Sequence, residues 1–477
     1  DSFNSMEDEN IAQAVPNARA SQWMEENIPL FECSQKNFEE MYYYRWWTLR
    51  KHIKETPVGY GMTEFLVNRS YADKYNLIAC AIGHHIYESR WLRNPEYLNQ
   101  IIHTWYRGNE GGPMAKMTKF SSWNADAVLG RYMVDGNKEF LLDMVKDLEA
   151  EYARWEKTNR LSNGLYWQGD VQDGMEESIS GGRRKQYARP TINSYMYGNA
   201  KALSLIGIMT GDEGMAMKYG LKADSIKTLV QDKLWNTDHH FFETMRGDAS
   251  AEVREAIGYI PWYFNLPDAS SQYDVAWKEV MDEKGFSAPY GLTTAERRHP
   301  EFRTHGVGKC EWDGAIWPFA SAQTLTAMAN FMNNYPQTVL TDSVYFHQME
   351  RYVESQHHRG RPYIGEYLDE VTGYWLKGDQ ERSRYYNHST FNDLMITGLI
   401  GLRPRMDNTV EVNPLIPEGK WDYFCLDNVL YHGRNLTILW DKDGSRYQRG
   451  KGLHIYVDGK EVGHADTLTR VLCENVL

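Results

Sequence analysis

A mainly α fold is predicted: a closed (α/α)6 toroid of paired helices followed by a small antiparallel β domain. Three observations carry this reading. Helical stretches of moderate length follow one another between residues 38 and 402, about ten in all. Short turns such as Val134–Asn137 and Thr210–Glu213 join them into antiparallel pairs, with no fixed-period repeat of the solenoid kind. After Leu402 the composition shifts to prolines and short alternating stretches.

Residues 1–37 are polar and irregular and read as a lead-in strand or an N-terminal arm. From Phe38 to Glu55, Met41, Tyr44, Trp47 and Ile53 recur at helical spacing. Ser70 is a candidate cap for a helix reaching about Leu92. Further helices are expected near 96–106, 122–134, 138–158, 190–210, 213–234, 272–283, 315–334, 341–357 and 389–401. Such a toroid uses about twelve helices and leaves long loops at one end, where a site can sit. The helical domain thus spans 38–402 and the β domain 403–477. In the latter, strands are expected at 430–432, 436–440, 453–457 and 461–463. Turn signals at Asp441–Gly444 and Asp458-Gly459 separate them. The first of these lacks the remaining ligands of a calcium loop and reads as a hairpin turn.

The chain has 477 residues, 42% hydrophobic and 25% charged, enough for one large core with an appendage. Its formal net charge of -13 argues against nucleic acid and against an anionic membrane surface. No apolar run reaches membrane-spanning length. Five scattered cysteines, with no CxxC pair, indicate neither a disulfide framework nor a zinc site, and Cys80 reads as a core thiol. No cofactor and no metal are predicted. The pair His84-His85 reads as packing. A secreted or periplasmic location is expected, the chain starting Asp-Ser-Phe as a processed precursor can; the oligomeric state is left open. The aromatic content is high, with 16 Trp and 32 Tyr, and flat rings with polar edges suit pyranose faces.

One arrangement recurs where loops meet helices: rings beside a carboxylate or amide. It occurs at Tyr42–Trp47 around Tyr44 and Arg45, and at Trp123-Asn124-Ala125-Asp126. Tyr166 and Trp167 precede Asp170, Asp173, Glu176 and Glu177. Glu311 and Asp313 alternate with Trp312 before Trp317-Pro318. Glu366 stands among Tyr363, Tyr367, Tyr374 and Trp375, with Pro362 and Gly365 making that segment a loop. In a helical toroid such junctions converge on one end and form a cleft lined by rings and acids. A carboxyl group among rings loses water and has its pKa shifted, which suits proton transfer.

The segment Glu366–Gly378, Glu-Tyr-Leu-Asp-Glu-Val-Thr-Gly-Tyr-Trp-Leu-Lys-Gly, resembles a motif of the inverting (α/α)6 glycoside hydrolases of the mannosylglycerate hydrolase, processing α-glucosidase and trehalase type. Asp173–Ser178 resembles their acid loop, Asn193–Ala200 the helix after it, and Trp312–Pro318 their substrate-binding turn. The matches fall in the family's order. The resemblance implies that Glu366 is the general base and Glu176 the general acid, with Asp173 as the alternative acid. Glu176 stands where relatives carry Asp, and Asp313 where they carry Arg, so the substrate does not carry over.

The expected activity is hydrolysis of a glycosidic bond in an oligo- or polysaccharide, inverting and, as in these relatives, exo-acting. Inverting carboxyl pairs stand roughly 6.5–9.5 Å apart. Trp123, Trp167, Trp312 and Trp317 are the expected sugar platform. Tyr44, Arg45, Asn124, Asp126, Asp173, Asn193, Asp313 and Tyr367 are further candidates for substrate contact. Two alternatives use the same scaffold: a polysaccharide lyase with Tyr and His as base and acid on uronic acids, and a sugar-binding scaffold without catalysis.

Overall fold

The computed structural model describes residues 2–306 and 309–477. The helices are α1 (Ala20–Asn27), α2 (Lys36–Lys51), α3 (Ile82–Ser89), α4 (Pro95–Arg107), α5 (Asn124–Asp135), α6 (Lys138–Asn159) and α7 (Pro190–Thr210). They continue as α8 (Glu213–Leu229), α9 (Ile260–Tyr263), α10 (Ser271–Asp274), α11 (Pro318–Asn334), α12 (Asp342–Ser355) and α13 (Asn392–Leu394). Local chemistry sets many of the boundaries. Proline opens α4, α7 and α11, where its missing N–H is harmless. The side chains of Asn94, Asn137 and Asp212 accept from first-turn amides of α4, α6 and α8. Gly136 and Gly211 close α5 and α7 in the left-handed conformation, so each chain end turns back at once into the next helix.

Packing runs as a closed series. Helix α3 contacts α5, α5 contacts α7, α7 contacts α9, α9 contacts α11, α11 contacts α13, and α13 returns to α3. The inner faces approach closely because glycines allow it. A Cβ on Gly83 would overlap the Trp123 ring, and one on Gly198 would overlap Phe264. The residues just before α3, α5, α7, α11 and α13 are Ala81, Trp123, Arg189, Trp317 and Phe391, so the loops feeding these helices supply the candidate site described below.

The helix expected from Ser70 begins only at Ile82. Tyr75 and Asn76 take positive φ (62° and 64°), which interrupts any helix there, and Asp73 rather than Ser70 caps the short turn that follows. The C-terminal strands are longer than expected. They form one antiparallel sheet in the order Leu30–Cys33, Tyr423–Tyr431, Arg434–Asp441, Gly452–Val457, Lys460–Ala465. The lead-in strand expected within 1–37 is Leu30–Cys33, which forms one edge of this sheet. Trp421 joins the sheet to the helices, packing on Phe38 of α2 and Phe346 of α12. Among the described residues no helix is long and apolar enough to cross a membrane.

Candidate active site

Glu176 sits on the loop between α6 and α7. Asp170 accepts from the Val171 amide at 2.8 Å, and Gly174 and Glu177 take positive φ, so the loop turns tightly on either side of Glu176. Its anchor is Asp173, whose carboxylate accepts from Arg189 Nε at 2.6 Å, from Ser121 Oγ at 2.5 Å and from the Thr191 hydroxyl. The Asp173 and Arg189 side chains are fully buried. These three donors, one of them a buried guanidinium, fix the Asp173 carboxylate in the loop.

Glu366 lies on the long loop between α12 and α13, itself braced by a turn. Asp369 Oδ1 accepts from the Val371 and Thr372 amides at 3.0 and 2.8 Å, and Gly373 is left-handed. Arg303 pairs with Asp369 at 2.7 Å and with Glu370. Leu368 bridges to Ile316 and to Trp375, tying this loop to the turn before α11. The Glu366 carboxylate is buried and meets two cations, Lys377 Nζ at 3.3 Å and Arg382 Nη2 at 3.1 Å. Both touch Oε2, which leaves Oε1 free of them.

Glu176 feels the charge of Glu366. Burial pushes the Glu176 carboxyl up to about 7, and the charges of Glu366 and Asp170 add to that effect. A third carboxyl joins them. Glu64, buried after the strand Gly59–Met62, is pushed up to about 8 by burial, with Glu366 and Glu176 among the repelling charges. Cys80 Sγ donates to its Oε2 at 3.3 Å, and His388 Nδ1 lies 3.7 Å from its Oε1. Tyr386 packs edge-on against His388 with ring centroids 3.8 Å apart. Burial drives His388 well below the usual histidine range and Tyr386 well above the usual tyrosine range. Cys310 completes this side, its thiol 3.8 Å from Lys377 Nζ and pushed up to about 11, chiefly by burial.

The profile of the mannosylglycerate hydrolase MGH1-like glycoside hydrolase domain matches residues 74–389, well over half of the chain. The chain belongs to this family. A second profile, the C-terminal domain of glycosyl hydrolase family 65, matches residues 402–464, which fall in the sheet region. Among solved structures, a chain named "Sialidase" is 84% identical over all of this chain with a TM-score of 0.99. This chain spans 44% of that protein's length. The GH63 mannosylglycerate hydrolase of Thermus thermophilus, in complex with glucose, is 12% identical, with a TM-score of 0.57, over 75% of this chain and 99% of that one. A GH78 family rhamnosidase of Bacillus sp. GL1 is also 12% identical with a TM-score of 0.57, over 90% of this chain and 41% of that one. These distant likenesses speak for the fold.

In this MGH1-like glycoside hydrolase domain the expected platform is only partly gathered. Trp312, Trp317 and Tyr367 form a stacked ladder, with centroids 4.6 and 4.7 Å apart, and Lys377 lies over the Tyr367 ring. All three are buried, with their faces stacked on one another. Trp123 is fully buried against His84 and Tyr195 and is core. Trp167 lies on a short strand paired with Tyr187–Ala188.

Other expected contacts are satisfied elsewhere. Asn124 is buried and donates to Glu151, and Asn193 bonds the Tyr166 backbone and the Arg189 carbonyl. Asp126 accepts from Tyr87 at 2.6 Å and lines a different hollow. Arg45 is buried on Gln356 and Ser389 and supports the His388 segment from behind. Tyr44 lines a separate hollow. Asp313 is taken by His305, whose Nδ1 lies at 2.6 Å while its Nε2 stands 3.7 Å from Glu177. Asp173 is structural, as described. Sequence reasoning missed Glu64, Cys80 as its partner, Tyr386, His388, Lys377, Arg382 and the exposed ring of Tyr71, whose hydroxyl feels the charge of Glu64.

Proposed function

We propose that this domain hydrolyses a glycosidic bond with inversion, on an (α/α)6 toroid whose inner layer is the closed series α3–α5–α7–α9–α11–α13. Glu176 is the general acid. A carboxyl with a pKa near neutrality holds its proton until the glycosidic oxygen is in place and releases it readily. Glu366 is the general base. Its Oε2 is tied to Lys377 and Arg382, and its free Oε1 takes the proton of the attacking water. Two carboxylates that differ this way in surroundings are the minimum for the reaction. Glu64, neutral up to about pH 8, donates a hydrogen bond to the bound sugar or holds one of its hydroxyls.

The observation that supports the reading is that the charge of Glu366 reaches the buried Glu176 carboxyl, the two standing on loops that feed one closed helical series, within a glycoside hydrolase family. Exo action follows the family resemblance alone. The substrate is an oligo- or polysaccharide; the names of the relatives do not transfer their sugars. The lyase reading has less support. Its base would be a tyrosine of depressed pKa, whereas burial and neighbouring carboxylates push Tyr386 well upward. The test is a screen of disaccharides and glycans with wild-type protein and E366Q. Glu366→Gln keeps the shape and removes the base, so hydrolysis should fall by ~100-fold or more. Hydrolysis near the original rate would end the assignment.

A further inference from the structure

A hollow of about 350 Å³ opens at the other end of the inner helices, and none of Glu64, Glu176 and Glu366 lines it. The loops of the candidate active site feed the starts of these helices, whereas this hollow is lined by later turns of α3, α5, α7 and α11. A run of buried rings stands between the two regions. Trp312 of the stacked ladder meets Phe319, Phe319 meets Trp123, and Trp123 meets Tyr263, which lines the hollow. The volume falls within the range of small-molecule pockets.

Charge gives the hollow its chemistry. Arg90 is paired with Asp393 at 2.8 Å and Arg405 with Glu411 at 2.9 Å. Two further cations line it with no carboxylate partner among the described residues. The recorded partner of Lys201 Nζ is the Tyr197 hydroxyl, at 3.5 Å. Arg403 donates from Nη1 to the Thr397 carbonyl at 3.1 Å and from Nη2 to Asn330 Oδ1 at 2.7 Å, which leaves Nε and one N–H on each Nη unused. Both side chains are half-buried and keep accessible surface, and burial lowers the pKa of each. The remaining carboxyl of the lining, Asp126, accepts from Tyr87, and burial pushes it up to about 7, so at pH 6 it is mostly neutral. Half-buried cations without a counter-charge attract an anion, here within a chain whose net charge is -13. A planar carboxylate is matched by a single guanidinium fork. An ammonium on α7 and a guanidinium on the strand Leu402–Arg403 suit instead an anion of higher charge, with oxygens pointing several ways.

We propose that this hollow is a second, non-catalytic site for a tetrahedral oxyanion, phosphate or sulfate, free or esterified to a single sugar, with Lys201 and Arg403 as its cationic ligands. Bound there, the anion ties α7 to the segment after α13, on another side of the helical ring. The proposal does not rest on the roles of Glu176 and Glu366.

The experiment is calorimetric titration of the full chain at pH 6, with ionic strength held constant by chloride. The probes are inorganic phosphate, inorganic sulfate, galactose 6-phosphate, galactose 6-sulfate, galacturonate and galactose. At least one of the first four should bind, and the inorganic ions against the esters show whether the anion is taken free or on a sugar. Galacturonate and galactose should bind at least tenfold more weakly. K201Q and R403Q should each weaken binding of the preferred anion by about tenfold or more, and R382Q, at the candidate active site, should leave it unchanged. The same anion should raise the Tm of the wild-type chain with increasing concentration, and K201Q should lose most of that rise. K201Q carries the test alone if R403Q does not fold. No binding of any of the four oxyanions, equal binding of galacturonate or galactose, or binding untouched by K201Q would overturn the proposal. So would binding lost in R382Q, which would place the ligand at the candidate active site.

Discussion

Replacing Glu366 by Gln should change the titration of Glu176, before any substrate is known. In the wild-type chain Glu176 titrates at about 7, with burial the first cause and the Glu366 charge a contributor. For a separation of about 8 Å, the middle of the range for an inverting pair, and an effective dielectric of about 20, one negative charge acts on the other with ~2 kcal/mol. At ~1.4 kcal/mol per pH unit, E366Q should lower the Glu176 midpoint by about 1 to 1.5 pH units. Burial remains in the variant, so the midpoint should stay above the ordinary glutamate value. The assay is carbon NMR of protein labelled at the glutamate carboxyl carbon, with the Glu176 resonance assigned by its loss in E176Q. An unchanged midpoint would mean that the two carboxyl groups do not share a site. A fall to the ordinary glutamate value would mean that charge, not burial, sets the acid.

Stability should respond at three other places. Glu64 has a folded-state pKa of about 8, above its unfolded value, so its contribution to stability is complete below the unfolded value and is lost as pH rises through about 8. E64Q should therefore be more stable than wild type at pH 9 by roughly 5 kcal/mol and gain little at pH 4, read from urea unfolding at both pH values. Asp173→Ala should cost about 3–5 kcal/mol because it leaves Arg189 buried without its partner, and D173L/R189L together should recover part of that loss in the same assay. Gly83→Ala drives a methyl into the Trp123 ring and should cost ~1–3 kcal/mol or more, seen as a lowered Tm.

How far the sequence could be read depended on the range of the interactions involved. Helices α4 to α8 were legible because Asn94-Pro95, Asn137, Asp212, Gly136 and Gly211 mark their ends locally. The early start expected at Ser70 failed because helical spacing in Leu77–Ile86 says nothing about the left-handed Tyr75 and Asn76. The bounds and pairing of strand Leu30–Cys33 were hidden because its partner strand, Tyr423–Tyr431, lies at the other end of the chain.

The candidate site divides in the same way. Glu176 and Glu366 stood out through loop glycines and neighbouring rings. The same pattern also arises where a helix start is simply buried, which is why Trp123, Asn124 and Asn193 turned out to be core. Glu64 carries no motif: between Thr63 and Phe65 it reads as any solvated acid. Only its contacts with Cys80, from sixteen residues away, and with His388, from the far end of the domain, reveal it.

The central claim is that a protonated Glu176 and an anionic Glu366 act on opposite faces of one sugar, with room for a water between them. Proton NMR of the first anomer released, recorded before mutarotation on whichever glycan the screen identifies, tests this most directly. A product of inverted configuration is the predicted result. A product that keeps the configuration of the substrate would contradict the account, since it requires a covalent intermediate and two carboxylates about 5–5.5 Å apart.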